Sequence, residues 1–147
     1  MSNADAPPAS GWERAYIALG SNLGDRAAYL AGALEALAQL PETRLVAASR
    51  VEETAPLGVV PQPCYLNQMV LVETRLSPRE LLHACRAIEE AAGRIRRTRW
   101  ESRTLDLDLV RFGCRTITDP ELILPHPELP NREFWQRELT ELRSYDQ

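Results

Sequence analysis

The chain has 147 residues, 44% of them hydrophobic and 26% charged, with a formal net charge of −4, which suits a single globular domain. That charge argues against a general binder of nucleic acid or anionic membrane, so any basic cluster is a local device. Cys64, Cys85 and Cys114 have neither zinc-site nor disulfide spacing, and no apolar run of membrane-span length and no signal-peptide layout is present, so a reducing, cytoplasmic setting is expected.

Residues 1–12 are small, polar and proline-containing and read as a disordered leader, which leaves one domain over 13–147. Ala15 to Leu19 is a short apolar strand running into Gly20-Ser21-Asn22-Leu23-Gly24. That segment lacks the Gly-Lys-Ser/Thr ending of a phosphate loop and the third glycine of a dinucleotide fingerprint, so it reads as a structural turn with Asn22 reaching out. Asp25 caps a helix in which Tyr29, Leu30, Ala33, Leu34 and Leu37 recur at helical spacing as far as Leu40, with Pro41 as the stop. Arg44 to Glu52 reads as a second strand, and the proline-rich stretch from Thr54 to Pro63 as a long loop. Tyr65 to Thr74 is a third strand. Ser77-Pro78-Arg79-Glu80 is a capping box with proline at the first helical position; it opens a helix to Ala92, and Gly93 ends it. An arginine loop, a strand from Leu105 closing at Gly113, and a turn at Asp119-Pro120 follow. The loop Pro125-His126-Pro127 and an amphipathic helix from Glu133, ending soon after Leu142, complete the chain. The order β-α-β-β-α-β predicts an α+β, ferredoxin-like sandwich: an antiparallel sheet, two helices on one face, and long loops placing a site at the other side or rim.

The densest chemistry lies between Arg94 and Asp108. Arg94, Arg96, Arg97, Arg99 and Arg103, with Trp100 among them, precede Thr104-Leu105-Asp106-Leu107-Asp108-Leu109. In a strand, residues two apart share a face, so Asp106 and Asp108 stand side by side, roughly 6.5 Å apart, with the leucines turned into a core. Carboxylates at that spacing repel each other unless a cation joins them, and a hard ion such as Mg²⁺ prefers oxygen ligands. Guanidinium forks suit phosphate. The plain alternative is an amphipathic edge strand with a solvated face beside a solvated arginine loop. Adjacency favours metal and polyphosphate together, because bare carboxylates would repel a phosphate ligand, and nucleotide triphosphate is the ligand class implied. His126 is held in a fixed place by its flanking prolines. His83, Cys64 and Cys85 read as structural, whereas packing alone explains Trp100 poorly.

These residues resemble the 6-hydroxymethyl-7,8-dihydropterin pyrophosphokinase family from about Ala15 to Phe134. The match runs through Tyr16-Ile17-Ala18-Leu19-Gly20-Ser21-Asn22-Leu23-Gly24, Thr54-Ala55-Pro56-Leu57-Gly58 and Tyr65-Leu66-Asn67. It continues through Gly93-Arg94-Ile95-Arg96, Arg99-Trp100, Arg103 to Asp108 and Pro125-His126-Pro127. The resemblance implies transfer of the β,γ-pyrophosphoryl group of ATP to the hydroxymethyl oxygen of the pterin, with release of AMP. It implies that Asp106 and Asp108 bind two Mg²⁺ ions, that Arg94 and Arg103 grip the phosphates, and that Arg96 and Trp100 belong to a closing loop. Glu89 and His126 then fall on the nucleotide side. Tyr65 and Phe134 sandwich the pterin, Asn67 bonds its amide edge, and Thr54, Leu57 and Gly58 line the pocket. Small-molecule partners and a monomer are expected. The arginine loop is one residue shorter than in familiar members, and Trp135-Gln136-Arg137-Glu138 stands where they continue with an apolar strand. The competing readings are a paralogue that keeps the ATP and metal side but takes another acceptor, and an RNA-binding ferredoxin-like module.

Overall fold

The structure is a computed structural model that describes residues 3–55, 63–93 and 104–146. Its elements in chain order are β1 (Glu13–Ser21), α1 (Arg26–Ala38), β2 (Thr43–Ala48), β3 (Glu52–Thr54) and β4 (Tyr65–Thr74). Then follow α2 (Pro78–Ala91), β5 (Asp106–Phe112), the short pair β6 (Ile117–Thr118) and β7 (Ile123–Leu124), and α3 (Glu133–Leu142). No helix among the described residues is long and apolar enough to cross a membrane.

The main sheet runs β2-β4-β1-β5, with β3 also on β4, and each of these pairings is antiparallel. The central strands β1 and β4 are buried on both faces along most of their length, so both faces need a cover. On one face Ile17, Leu19, Val70, Val72, Leu107 and Leu109 pack against α1 and α2 through Leu30, Ala33, Leu37, Leu81 and Cys85. On the other, Tyr16, Ala18, Met69, Leu71 and Val110 lie under Trp135 and Leu142 of α3. The opposite face, expected to be served by loops, thus carries a helix of its own. Trp135, Glu138 and Leu142 are its buried residues; their spacing of three and four makes one inward stripe.

Local signals act where they stand. Asp25 accepts the Ala28 N–H at 3.1 Å at the start of α1. Ser77 accepts the Glu80 N–H at 3.2 Å while Glu80 accepts the Ser77 N–H at 2.8 Å, closing the capping box of α2. Gly93 takes φ +81 just past that helix, a conformation that favours glycine.

Three expectations need correcting. The single strand from Arg44 to Glu52 is broken into β2 and β3, because Ser49 turns inward: its hydroxyl accepts the Met69 N–H at 2.9 Å and its carbonyl accepts the Gln68 amide at 2.7 Å. Asn22 does not reach out of its turn; it is 1% exposed and donates to the Pro63 carbonyl at 3.1 Å. Residues 3–8 of the leader are docked rather than disordered. Ala4 is fully buried in the helix-side core, its carbonyl accepts the Arg79 N–H at 2.9 Å, and Arg115 donates to the Asn3 and Ala6 carbonyls at 2.8 and 2.7 Å. Arg79 then joins Asp5 of the leader to Asp119, both at 2.7 Å.

Ser77→Ala removes one side of the capping box without touching the sheet. Urea denaturation should show a loss of about 1 kcal/mol with unchanged slope.

Candidate active site

Register alone assembles one end of the sheet. Gly20 of β1 pairs with Asp106 on β5 and with Asn67 on β4, and Asn67 pairs in turn with Glu52 on β3. Directly paired residues on antiparallel strands share a face. Asp106, Asn67 and Glu52 therefore stand on the face away from α1 and α2, the first two separated by the glycine. Strands lie about 4.8 Å apart, so this gap is roughly 10 Å wide at the backbone. Gly20 keeps it open: a Cβ there would come within 3.3 Å of Asn67 Oδ1 and 3.4 Å of the Tyr65 ring. Tyr65 pairs with Thr54, and the Asn67 amide donates to the Thr54 hydroxyl. Asp106, Tyr65, Asn67 and Thr54 are thus brought together across adjacent strands.

Asp108 lies one row further along, opposite Ala18, with its side chain 40% exposed. Leu105, Leu107 and Leu109 are buried on the helix side, so the alternation read from the sequence holds residue by residue. Glu89 of α2 is 6% exposed and accepts the Leu107 N–H at 2.8 Å. A carboxylate accepting a backbone N–H makes a charge-assisted bond. This one fixes the β5 backbone midway between the two aspartates.

The prolines around His126 set its ring beside the outer edge of β5, where the His126 N–H donates to the Val110 carbonyl at 2.9 Å. Its Nδ1 accepts the Glu128 N–H at 3.0 Å, which leaves the neutral ring's proton on Nε2, 3.8 Å from Asp108 Oδ1. Burial, and after it the charge of Arg132, hold the imidazole below the usual histidine range. Its ring stands perpendicular to that of Trp135, 5.0 Å between centroids. Glu89, Asp106, Asp108 and His126 line one cavity of about 350 Å³, walled on its far side by Arg86 and Glu121. Phe134, half-buried at the start of α3, packs on the face beneath that helix, 6.4 Å from the Trp135 ring.

Leu57, Gly58, Arg94, Arg96, Trp100 and Arg103, all expected in the site, lie outside the described residues. Residues flanking 56–62 are held by the turn before α1 and its first residue: Asn22 bonds the Pro63 carbonyl at 3.1 Å, and Arg26 bonds the Cys64 carbonyl at 2.7 Å and Glu53 at 3.1 Å. Cys85 is buried, and burial pushes its thiol up to about 12, so it packs rather than reacts.

The aspartate pair suits a hard divalent ion. No group of three or more His, Cys, Asp or Glu among the described residues forms a closed metal cage. Mg²⁺ ordinarily takes one or two carboxylates and completes its shell with phosphate and water oxygens. Half-exposed carboxylates opposite Gly20 and Ala18 leave room for those oxygens. Sequence reading did not single out Gly20 as the spacer, because a glycine after a strand looks like a turn; its pairing on both sides was the missing signal.

The sequence profile of the family described as 7,8-dihydro-6-hydroxymethylpterin-pyrophosphokinase (HPPK) matches residues 16–144. The 2-amino-4-hydroxy-6-hydroxymethyldihydropteridine pyrophosphokinase of Methylorubrum extorquens is 45% identical over 82% of this chain and 77% of its own length. Its Haemophilus influenzae counterpart is 46% identical over 82% and 75%, and that of Bacillus subtilis 42% identical over 87% and 77%. Among solved structures, Plasmodium falciparum HPPK-DHPS shares the fold at a TM-score of 0.56 and 14% identity, covering 94% of this chain and 37% of that one. With a profile match across most of its length and relatives this similar, the chain belongs to the HPPK family and is a pyrophosphokinase.

Proposed function

We propose that this chain transfers the β,γ-pyrophosphoryl group of ATP to the hydroxymethyl oxygen of 6-hydroxymethyl-7,8-dihydropterin, a step of folate biosynthesis, as a cytoplasmic monomer on a ferredoxin-like scaffold. The observation that carries the reading is the pairing of Gly20 with Asp106 on one side and Asn67 on the other. It sets carboxylates for a metal–polyphosphate group and a polar, aromatic-flanked pocket for a flat heterocycle at the two edges of one gap.

In the reaction the hydroxymethyl oxygen bonds to the β-phosphorus as the bond from that phosphorus to the α,β-bridging oxygen breaks. AMP leaves with the bridging oxygen, and the proton of the acceptor hydroxyl passes to solvent. Such transfers ask the protein for alignment and charge neutralisation, not a covalent intermediate. Asp106 and Asp108 would hold Mg²⁺, two ions by family resemblance, and Arg94 and Arg103 would grip the phosphates. Bound Mg²⁺ supplies charge neutralisation along the triphosphate and lowers the pKa of the acceptor hydroxyl. Glu89 keeps the aspartates in place through the β5 backbone, and the neutral His126 stands on the nucleotide side of the cavity. Arg96 and Trp100 belong to the loop that closes over ATP. Tyr65 and Phe134 stack on the pterin, Asn67 bonds its amide edge, and Thr54 orients Asn67, with Leu57 and Gly58 completing the wall. The buried state of Tyr16 and Ala18 under α3 speaks against a stacking platform for RNA on the central strands.

Chromatography of a reaction containing ATP, Mg²⁺ and the reduced pterin should show AMP rising in step with acceptor loss. Stoichiometric ADP would instead indicate a simple kinase. Asp108→Ala should lower Mg²⁺-dependent turnover by roughly a thousandfold, yet leave metal-free thermal stability unchanged or raised, since it relieves repulsion between like charges. Unfolding by Asp108→Ala, with normal activity in the folded remainder, would mark the pair as structural. Gly20→Ala should press on Asn67 and Tyr65, weakening pterin binding by about 1–2 kcal/mol with much less effect on ATP; calorimetry with each ligand separately reads the difference.

A further inference from the structure

Beneath α3 lies a carboxyl pair that the reaction does not use. Glu138 is 1% exposed, and neither of its carboxyl oxygens, nor Glu52 Oε2, has a hydrogen-bond donor. Ionised carboxylates only accept, so two of them buried against each other leave such atoms orphaned. A single proton resolves the conflict, because a carboxylic acid donates an O–H to the neighbouring carboxylate. Burial, and then Glu52, push Glu138 up to about 9. Glu52 is held below its ordinary value, first by the bond from Glu138 and then by Arg137, whose guanidinium stands 3.2 Å away. Glu141 on the same helix also faces Glu138, and Arg50, beside Glu52, reaches Glu141 through its backbone N–H at 2.9 Å. At neutral pH the pair therefore keeps one proton.

Its position ties two parts of the acceptor site. Glu138 follows Phe134 by one helical turn and so lies on the same side of α3. Glu52 is the register partner of Asn67. We propose that Glu138 is a positioning residue for the acceptor: through its bond to Glu52 it sets α3, and with it the Phe134 ring, over the strand that carries Asn67. The inference rests on the pterin reading of the site and adds the device that holds its movable wall. Losing the proton places two negative charges in one buried contact, and α3 must then lift from β3.

The linkage sign is fixed. The unfolded chain releases this proton above about pH 4.5, while the folded chain retains it until about pH 9. The associated stability is full below the first value and is lost as pH rises towards the second. Glu138→Gln, whose amide still donates to Glu52, escapes that loss and should melt higher than the parent at pH 8.

The test follows steady-state turnover of the full chain between pH 7 and 10, with ATP and pterin varied separately, beside hydrogen exchange of residues 133–142. In the parent, the pterin KM should rise about tenfold as pH passes 9, with α3 losing protection over the same range and the ATP KM changing little. Glu138→Gln should keep the neutral-pH pterin KM and abolish both alkaline changes. Glu138→Ala should show the raised pterin KM at every pH. An alkaline rise in Glu138→Gln equal to the parent's, or KM values for both substrates rising together in Glu138→Ala, would overturn the proposal. Normal pterin turnover without any pH step in α3 would overturn the clamp alone. A step in α3 without pterin turnover would overturn the acceptor reading and Glu138's role in it.

Discussion

Antiparallel pairing of β1 with both of its neighbours is the constraint on which the site depends. Side chains alternate along a strand, so a one-residue slip of β5 against β1 would drive Asp106 and Asp108 into the layer filled by α1 and α2. It would also turn Leu107 and Leu109 outward. Burying those leucines is worth about 2 kcal/mol each, and burying unpaired carboxylates in their place would cost several more. The hydrophobic core therefore fixes where the charges point. Glu89 adds a local pin, since its carboxylate reaches the one backbone N–H that lies between the two aspartates.

The two faces of the sheet divide the work. The helix-side face is apolar and serves stability. The α3 face changes character along the strands, from Met69, Leu71 and Val110 under Trp135 to Asn67, Asp106 and Glu52 beyond Gly20. Polar groups gather where the covering helix begins, and Phe134 is its second residue. Trp135 joins two parts of this face: it fills the core under α3 and stands perpendicular to the His126 ring, so the loop that carries His126 and α3 share one buried ring.

What could be read from the sequence was whatever local chemistry decides. The capping box at Ser77, the cap at Asp25, the strand from Tyr65 to Thr74 and the Leu-Asp alternation depend on residues within a few positions of one another, and all stand as read. The break at Ser49 was not legible, because it depends on a hydroxyl replacing a strand partner for Met69. Nor was the docking of the leader. Ala4 carries no signal of its own, and its burial is decided by Arg79 and Arg115, far along the chain. Gly20 looked like the start of a turn until its neighbours on both sides were known. Glu138 was hidden for the opposite reason: a glutamate in an amphipathic helix is ordinarily a solvated residue, and only the neighbouring carboxyl gives its burial a chemical sense.

Of the two departures read from the sequence, one falls in the arginine loop, outside the described residues, and the other in the segment after Phe134. Asp106, Asp108, Glu89 and His126 surround the cavity on the outer edge of β5. The segment after Phe134 forms the helix whose polar contacts run to Glu52 and the short stretch before it. A triphosphate held by metal and arginine can be gripped in one way by many chains, because its charge is the same in all of them. A flat acceptor is held by shape, through the distance between a stacking ring and an amide edge. In the acceptor site proposed above, that distance would follow from how closely α3 sits on β3, and so from the single proton that Glu138 and Glu52 would share.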